Sequence, residues 1–337
     1  MIDLTTAYMG LRLRNPLVAS ASPLSYSVDG VRRLADAGVG AVVLYSLFEE
    51  QLREQGVRDA EIIDGPADSF AEALDYFPDV VDEDATPRHY LTLIERAADA
   101  VEVPVIASLN GATPEGWTGY ARSMQDAGAA AIELNVYYLP GDPAISGRDV
   151  EERHLEVLGR VKDAVTVPVA VKLSPYFSST GELAMRLDDA GADALVLFNR
   201  FLQPDIDPEA LAVVADIGLS SPRDARLPRT WIALLHGRLR ASLAATTGVW
   251  DAADIAKYLL AGADVVMSTS ALLRHGPEHA HVLLDGLSAW MERHRFHSLD
   301  EVRGMLSVPP DTDQAAHERA GYVIALRAAN AGSYSLS

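Results

Sequence analysis

Lys172 stands inside an otherwise apolar run, Val167-Pro-Val-Ala-Val-Lys-Leu173, where an unpaired ammonium would be expensive to bury. It therefore needs an anionic partner or a site. Two chemistries suit it: an amine that forms a Schiff base, or a cation that stabilises negative charge on a bound ring. A structural reading stands beside them, in which the side chain snorkels out at the strand end or pairs with Glu133. Asn135 and Asn199 each close an apolar run of their own. An amide both donates and accepts, which suits the edge of a heteroaromatic ring; it is also an ordinary turn residue. Thr246-Thr247-Gly248 and Ser268-Thr269-Ser270 follow two further apolar runs. Their backbone N–H groups and small hydroxyls can hold a phosphate through fixed dipoles, or simply form turns. Ser20-Ala21-Ser22, Tyr45-Ser46, Ser108 and Asn110 complete this set of polar run ends.

The histidines carry less. His275, His279 and His281 are close in sequence, but Pro277 intervenes and no acidic cluster accompanies them. They read as helix-surface residues, and no metal site is expected.

The elements that must position these residues repeat. Leu34-Ala-Asp-Ala-Gly38, Met124-Gln-Asp-Ala-Gly128, Leu187-Asp-Asp-Ala-Gly191 and Leu259-Leu-Ala-Gly262 each read as a helix closed by glycine. Each precedes a short, nearly all-apolar run, as a parallel strand buried on both faces should be. Val103-Pro-Val-Ile-Ala-Ser-Leu109 and Val167–Leu173 open strands with a proline, and Asn15–Ser20 and Arg240–Ala245 add two more. Strands are predicted to start near residues 15, 40, 104, 130, 168, 193, 240 and 264, with helices over Val28–Ala37, His89–Ala100, Trp117–Ala127, Val150–Ala164 and Ala252–Ala261. Eight strands alternating with helices predict an α/β fold of the (β/α)8 TIM-barrel type over residues 1–297; a doubly wound sheet is the alternative. The candidate residues fall at the carboxyl ends of its strands, where barrels carry their sites. Two long insertions leave the same face: acidic, aromatic Leu47–Pro87 after the second strand and proline-rich Arg200–Thr230 after the sixth. The polar tail, 298–337, reads as a wrap or an interface arm.

Composition narrows the partners. The chain of 337 residues carries 28 basic and 48 acidic residues, a net charge of −20, and no cysteine. That charge argues against nucleic acid and acidic membranes, which are bound mainly through clustered Lys and Arg. Without cysteine there is no disulfide, thiolate zinc site, iron–sulfur cluster or thiol nucleophile. The start, Met1-Ile2-Asp3-Leu4, lacks the features of a signal peptide, and no run is long and apolar enough to span a bilayer, so a cytoplasmic protein is expected.

Taken in order, these segments resemble the dihydroorotate dehydrogenase family of flavin mononucleotide (FMN) barrels, over roughly residues 3 to 295. The resemblance runs through Leu11-Arg-Leu-Arg-Asn15-Pro-Leu-Val-Ala-Ser20-Ala, Glu133-Leu-Asn135, Val171-Lys-Leu-Ser-Pro-Tyr-Phe177, Phe198-Asn199, Thr247-Gly-Val249 and Ser268-Thr-Ser-Ala-Leu272. It implies an FMN-dependent oxidoreductase that passes a hydride between a small substrate and the flavin. By matching position, Ser20, Ala21 and Ser22 would line the flavin, and Asn135, Lys172 and Asn199 would contact its ring. Thr247, Gly248, Thr269 and Ser270 would hold the phosphate, while Tyr45, Ser46 and Asn110 occupy neighbouring strand ends. Where the family has a catalytic Cys or Ser, this chain has Tyr138, which becomes the expected proton carrier beside Lys172. Where the family has a substrate-contacting lysine it has Tyr45, and Glu72–Asp79 stands in for the asparagine-rich orotate grip. The flavin half of the pattern is kept and the substrate half is rewritten. Two other readings follow: a flavin-binding protein without this catalysis, and an aldolase using Lys172 as a Schiff base. Barrels of this size often pair, so a homodimer is expected.

Overall fold

Gly38, Gly128, Gly191 and Gly262 all have positive φ, from 91° to 119°. Each closes its helix in the left-handed conformation that glycine adopts at least cost and turns the chain into a strand. The computed structural model describes residues 2–52, 86–111, 117–138, 140–214 and 218–330. The barrel strands are β3 (Leu17–Ala19), β4 (Ala41–Phe48), β5 (Val105–Gly111), β6 (Ala131–Val136), β7 (Val169–Leu173), β8 (Ala194–Leu197), β11 (Ser242–Ala245) and β12 (Val265–Ser268). They pair in parallel in that order, and β12 closes on β3. The helices are α1 (Val28–Asp36), α2 (Pro87–Ala100), α3 (Trp117–Asp126), α4 (Gly147–Ala164), α5 (Thr180–Asp189), α6 (Arg226–Leu235), α7 (Ala252–Ala261), α8 (Ser270–His275) and α9 (His279–His294). This is the (β/α)8 barrel expected from the repeat.

Helix starts are written locally. Ser27 and Thr86 accept the N–H of the third residue of α1 and α2, and Ser146/Asp149 and Asp251/Asp254 form reciprocal capping boxes on α4 and α7. Alternation along the strands then builds two layers. Val42, Leu134, Val171 and Leu195 face outward under the helices, whereas Val18, Val43, Ile106, Val196 and Met267 fill the lumen. The amino-terminal end of the lumen is plugged by an antiparallel hairpin of β1 (Thr6–Tyr8) and β2 (Leu11–Leu13). Tyr8, Met9 and Leu13 pack into the lumen, Met9 N donates to Ser242 Oγ (3.1 Å), and Thr6 Oγ1 donates to Asp264 O (3.0 Å). Burial, with the nearby charges of Glu133 and Asp264, pushes the Tyr8 hydroxyl well above the usual phenol range.

The first insertion, Leu47–Pro87, begins within β4; its residues 53–85, with Glu72–Asp79, lie outside the described residues. The second forms an antiparallel ribbon of β9 (Asp205–Asp207) and β10 (Ala212–Val214), then leads into α6. The carboxyl-terminal segment starts as a strap. Leu299 and Val302 are buried, and Gly304, Leu306 and Val308 donate their N–H groups to Leu259, Leu260 and Ala233 carbonyls on α7 and α6. Beyond it lies α10 (Gln314–Asn330). Among the described residues no helix is long and apolar enough to cross a membrane, and no cluster of three or more His, Asp or Glu could hold a metal ion.

Candidate active site

Inward-facing positions near the carboxyl ends of the strands change from aliphatic to polar. In β5, β6 and β7 the register aligns Asn110 with Asn135 and Asn135 with Lys172, and one level down it aligns Ser108 with Glu133. Lys172 Nζ lies 3.3 Å from Glu133 Oε1, with both side chains buried at 8% and 1% exposure. The pairing with Glu133 therefore exists, and it does not remove Lys172 from the site: the same lysine lines a cavity at the barrel mouth. Glu133 Oε2 is buried with no hydrogen-bond partner. From the end of β8, Asn199 Nδ2 donates to Asn135 Oδ1 (2.9 Å), so the two amides act as a unit.

The mouth cavity, about 270 Å3, brings together Ser20, Ala21, Lys172, Asn199, Thr247, Gly248, Thr269 and Ser270. Its far end is built by β11, β12 and the returning second insertion. Thr247 and Gly248 both have positive φ, 79° and 72°. A Cβ on Gly248 would stand 2.6 Å from Ser221 O and 2.8 Å from Ala225 N, so this position requires glycine for close approach. Gly248 N donates to Ser220 Oγ (3.1 Å), Ser220 N donates to Ser270 Oγ (3.0 Å), and the two serine hydroxyls are 2.8 Å apart. Trp250 Nε1 anchors the loop by donating to Ser220 O (2.6 Å), and Thr247 Oγ1 donates to Phe198 O (3.1 Å). Ser220 is thus a site residue that the strand-end reasoning missed. It comes from an insertion without apolar periodicity, where only the hydroxyl pair ahead of Pro222 offered a signal.

Other expected residues lie around this core. Asn110 neighbours Asn135 in register, and Ser46 Oγ is 2.9 Å from Ser108 Oγ in the lumen. Ser22 shapes the loop after β3, accepting the Leu24 N–H (3.3 Å). Tyr45 is not brought to the group. The β4–β5 register shifts between Val43 and Ser46, so one extra residue turns Ser46 inward and Tyr45 outward. Tyr45 stacks on Tyr26 (4.1 Å between centroids) and meets the edge of Tyr90 on α2 (5.0 Å). Tyr138 is not brought to Lys172 either: its ring lies under the Arg153 guanidinium of α4, 4.0 Å from the centroid, and does not line the mouth cavity. Its neighbour Tyr137 instead crosses toward the second insertion, stacks on Phe201 (4.1 Å) and accepts the Leu202 N–H (2.8 Å).

What the arrangement offers is an ammonium and two coupled amides at one end of a cavity and hydroxyls at the other. That donor set suits a planar heterocycle bearing a phosphate. The chain is 30% identical over 320 residues to the catalytic subunit of dihydroorotate dehydrogenase B (NAD(+)) from Methanothermobacter thermautotrophicus, covering 90% of this chain and 98% of that protein. The corresponding subunit from Methanocella arvoryzae is 30% identical over 311 residues, covering 88% and 95%. A putative dihydroorotate dehydrogenase A (fumarate) from Aeropyrum pernix is 25% identical over 308 residues, covering 90% and 97%. The family model described as dihydroorotate dehydrogenase matches residues 3–291, and with a closed barrel bearing these donors at its mouth, the chain belongs to the dihydroorotate dehydrogenase family.

Proposed function

We propose that this protein is an FMN-dependent oxidoreductase that passes a hydride between a small substrate and the flavin. The observation that carries the reading is the buried Lys172–Glu133 pair, whose ammonium also lines the mouth cavity beside Asn199. When bound, the flavin supplies a reversible two-electron carrier. Lys172 places a fixed positive charge where the ring's pyrimidine end would gain negative charge, and it does so in a water-poor site. Because Asn199 donates to Asn135 Oδ1, the remaining Asn199 Oδ1 and Asn135 N–H groups are left to address the ring edge. At the phosphate end Gly248 N is already taken by Ser220, and one of the Ser220 and Ser270 hydroxyls donates to the other, so the remaining hydroxyl hydrogen, with backbone N–H groups at Thr247 and Thr269, would hold the anion.

The substrate is proposed to be something other than dihydroorotate. Tyr138 lies under Arg153, and Tyr45 faces the helices, so neither supplies an acid–base group or a carboxylate-binding cation to the cavity. A Schiff-base aldolase is less well supported, because it needs Lys172 Nζ for a carbonyl carbon and that nitrogen is engaged by Glu133. A visible absorption spectrum before and after heat release tests the cofactor. Flavin bands with FMN released are expected; a colourless protein that takes up no added FMN would overturn the reading. Anaerobic mixing of the FMN-loaded protein with dihydroorotate tests the substrate half, and the bands are expected to persist.

A further inference from the structure

We propose that helix α10 of one copy of this chain docks on the β9–β10 ribbon of a second copy, and that two such contacts, made reciprocally, hold a dimer. The inference is independent of the flavin reading, and α10 lies beyond residues 3–291, which the family model matches.

The helix receives no cover from its own barrel. Residues 319–328 are all exposed, Tyr322 by 64% and Ile324 by 66%. A lone helix of this length is marginal in water, and Gly321 in its interior weakens it further. The run Tyr322-Val-Ile-Ala-Leu326 therefore needs a surface to pack on. At about 100° per residue, Tyr322, Val323 and Leu326 share one face. Arg319 and Arg327 bracket that face, about 12 Å apart along the axis, and no acidic residue falls between 319 and 328.

The ribbon is complementary in shape and charge. Ile206 and Val213 stand opposite each other in register, on one face, and are 70% and 72% exposed. A two-stranded ribbon with neither face buried is as marginal as the lone helix. Its acidic residues are Asp205, Asp207 and Glu209, and no basic residue falls between Phe201 and Val214. Three residues per strand span about 10 Å, close to the separation of the two arginines.

Attachment points to a second copy rather than the same chain. The ribbon follows β8, at the carboxyl end of the barrel. The strap leading to α10 is pinned at the other end, where α6 turns into β11: Val308 N donates to Ala233 O (2.8 Å), and Arg238 Nη2 donates to Pro309 O (3.3 Å). Only residues 310–313 then join strap to helix. Two barrels side by side and pointing in opposite directions bring each arm to the other's ribbon, and the two-fold axis closes the assembly.

Because the chain has no cysteine, placed thiols report this contact without background. Val323→Cys on α10 and Val213→Cys on the ribbon, one of them isotope-labelled, are mixed, left to exchange and treated with a short bismaleimide. Val282→Cys, exposed on α9, replaces Val213→Cys as the control. Linkage of arm chain to ribbon chain, read by mass spectrometry, is expected at least tenfold faster than linkage of arm chain to control. Arg319→Glu/Arg327→Glu in the arm chain should slow it at least tenfold, and Asp205→Arg/Glu209→Arg in the ribbon chain should restore it. All the substituted side chains are exposed, so the variants are expected to fold. Linkage no faster than the control, indifference to charge reversal, or no recovery on pairing the reversals would overturn the proposal. So would a Val213→Cys/Val323→Cys double variant that links only within one chain, which would seat the arm on its own barrel.

Discussion

Glu133 is a buried carboxylate with one oxygen paired to Lys172 and the other without a partner, which makes the pair costly to disturb from one side. Lys172→Met alone leaves that carboxylate without its counter-charge and is expected to cost about 3–5 kcal/mol. The double variant Lys172→Met/Glu133→Gln should recover most of the loss in urea denaturation, yet bind FMN no better than the single one. Full FMN occupancy in the stable double variant would remove Lys172 from cofactor binding. The two tyrosines at the end of β6 separate just as cleanly. Tyr138→Phe keeps the ring under Arg153 and should change stability by no more than about 0.5 kcal/mol. Tyr137→Phe leaves the Leu202 N–H without its acceptor and should cost about 1 kcal/mol; equal losses for both would contradict the hydrogen-bond assignment. Residue types at strand ends were legible in sequence because a polar side chain closing an apolar run has few other reasons to be there. Orientation was not: the extra residue in β4 reverses the parity of Tyr45 and Ser46, and no composition signal marks a bulge.

Among the elements, α4 reports on the site through His154. Its ring is buried at 1% exposure, Nδ1 lies 2.8 Å from Val150 O, and its neighbour at 5.1 Å is Phe177, four residues after the end of β7. Burial lowers its pKa from the ordinary 6.5, outweighing the hydrogen bond to Val150. Between the folded and unfolded values the unfolded chain holds more protons, so stability falls as pH drops below about 6.5. His154→Leu should flatten that limb in urea melts run across the range; an unchanged pH profile would rule His154 out as its source. Gly248→Ala tests the junction between β11 and the second insertion. It combines a positive φ with a 2.6 Å approach to Ser221 O, so a loss of at least about 1–3 kcal/mol and of FMN retention is expected. The eight barrel strands begin within two residues of their predicted starts, because apolar runs after Ala-Gly helix ends repeat wherever a strand is buried on both faces. The β1–β2 plug and Ser220 lay beyond such reasoning, since each is placed by contacts with residues far away in the chain.

For the molecule as a whole, a net charge of −20 means that the folded state carries considerable self-repulsion. The surface pairs Arg32–Asp29 and Arg160–Glu156 are exposed and contribute little, whereas the buried Lys172–Glu133 pair is poorly reached by salt. Raising sodium chloride to about 0.2 M should therefore raise the melting temperature. A fall would mean that attractive surface pairs outweigh the repulsion. The plug has a different consequence, one of timing. The ribosome makes the β1–β2 hairpin before any barrel strand and long before its sockets: Ser242 and Asp264 for Met9 and Thr6, His297 for Asp3, and Arg303 for Thr6. Until β12 emerges, β3 has a bare edge and the nascent chain is an open sheet with nothing to stopper. Closure thus waits for β12, and a stall in translation before Ser242 leaves on the ribosome a barrel with neither seam nor base.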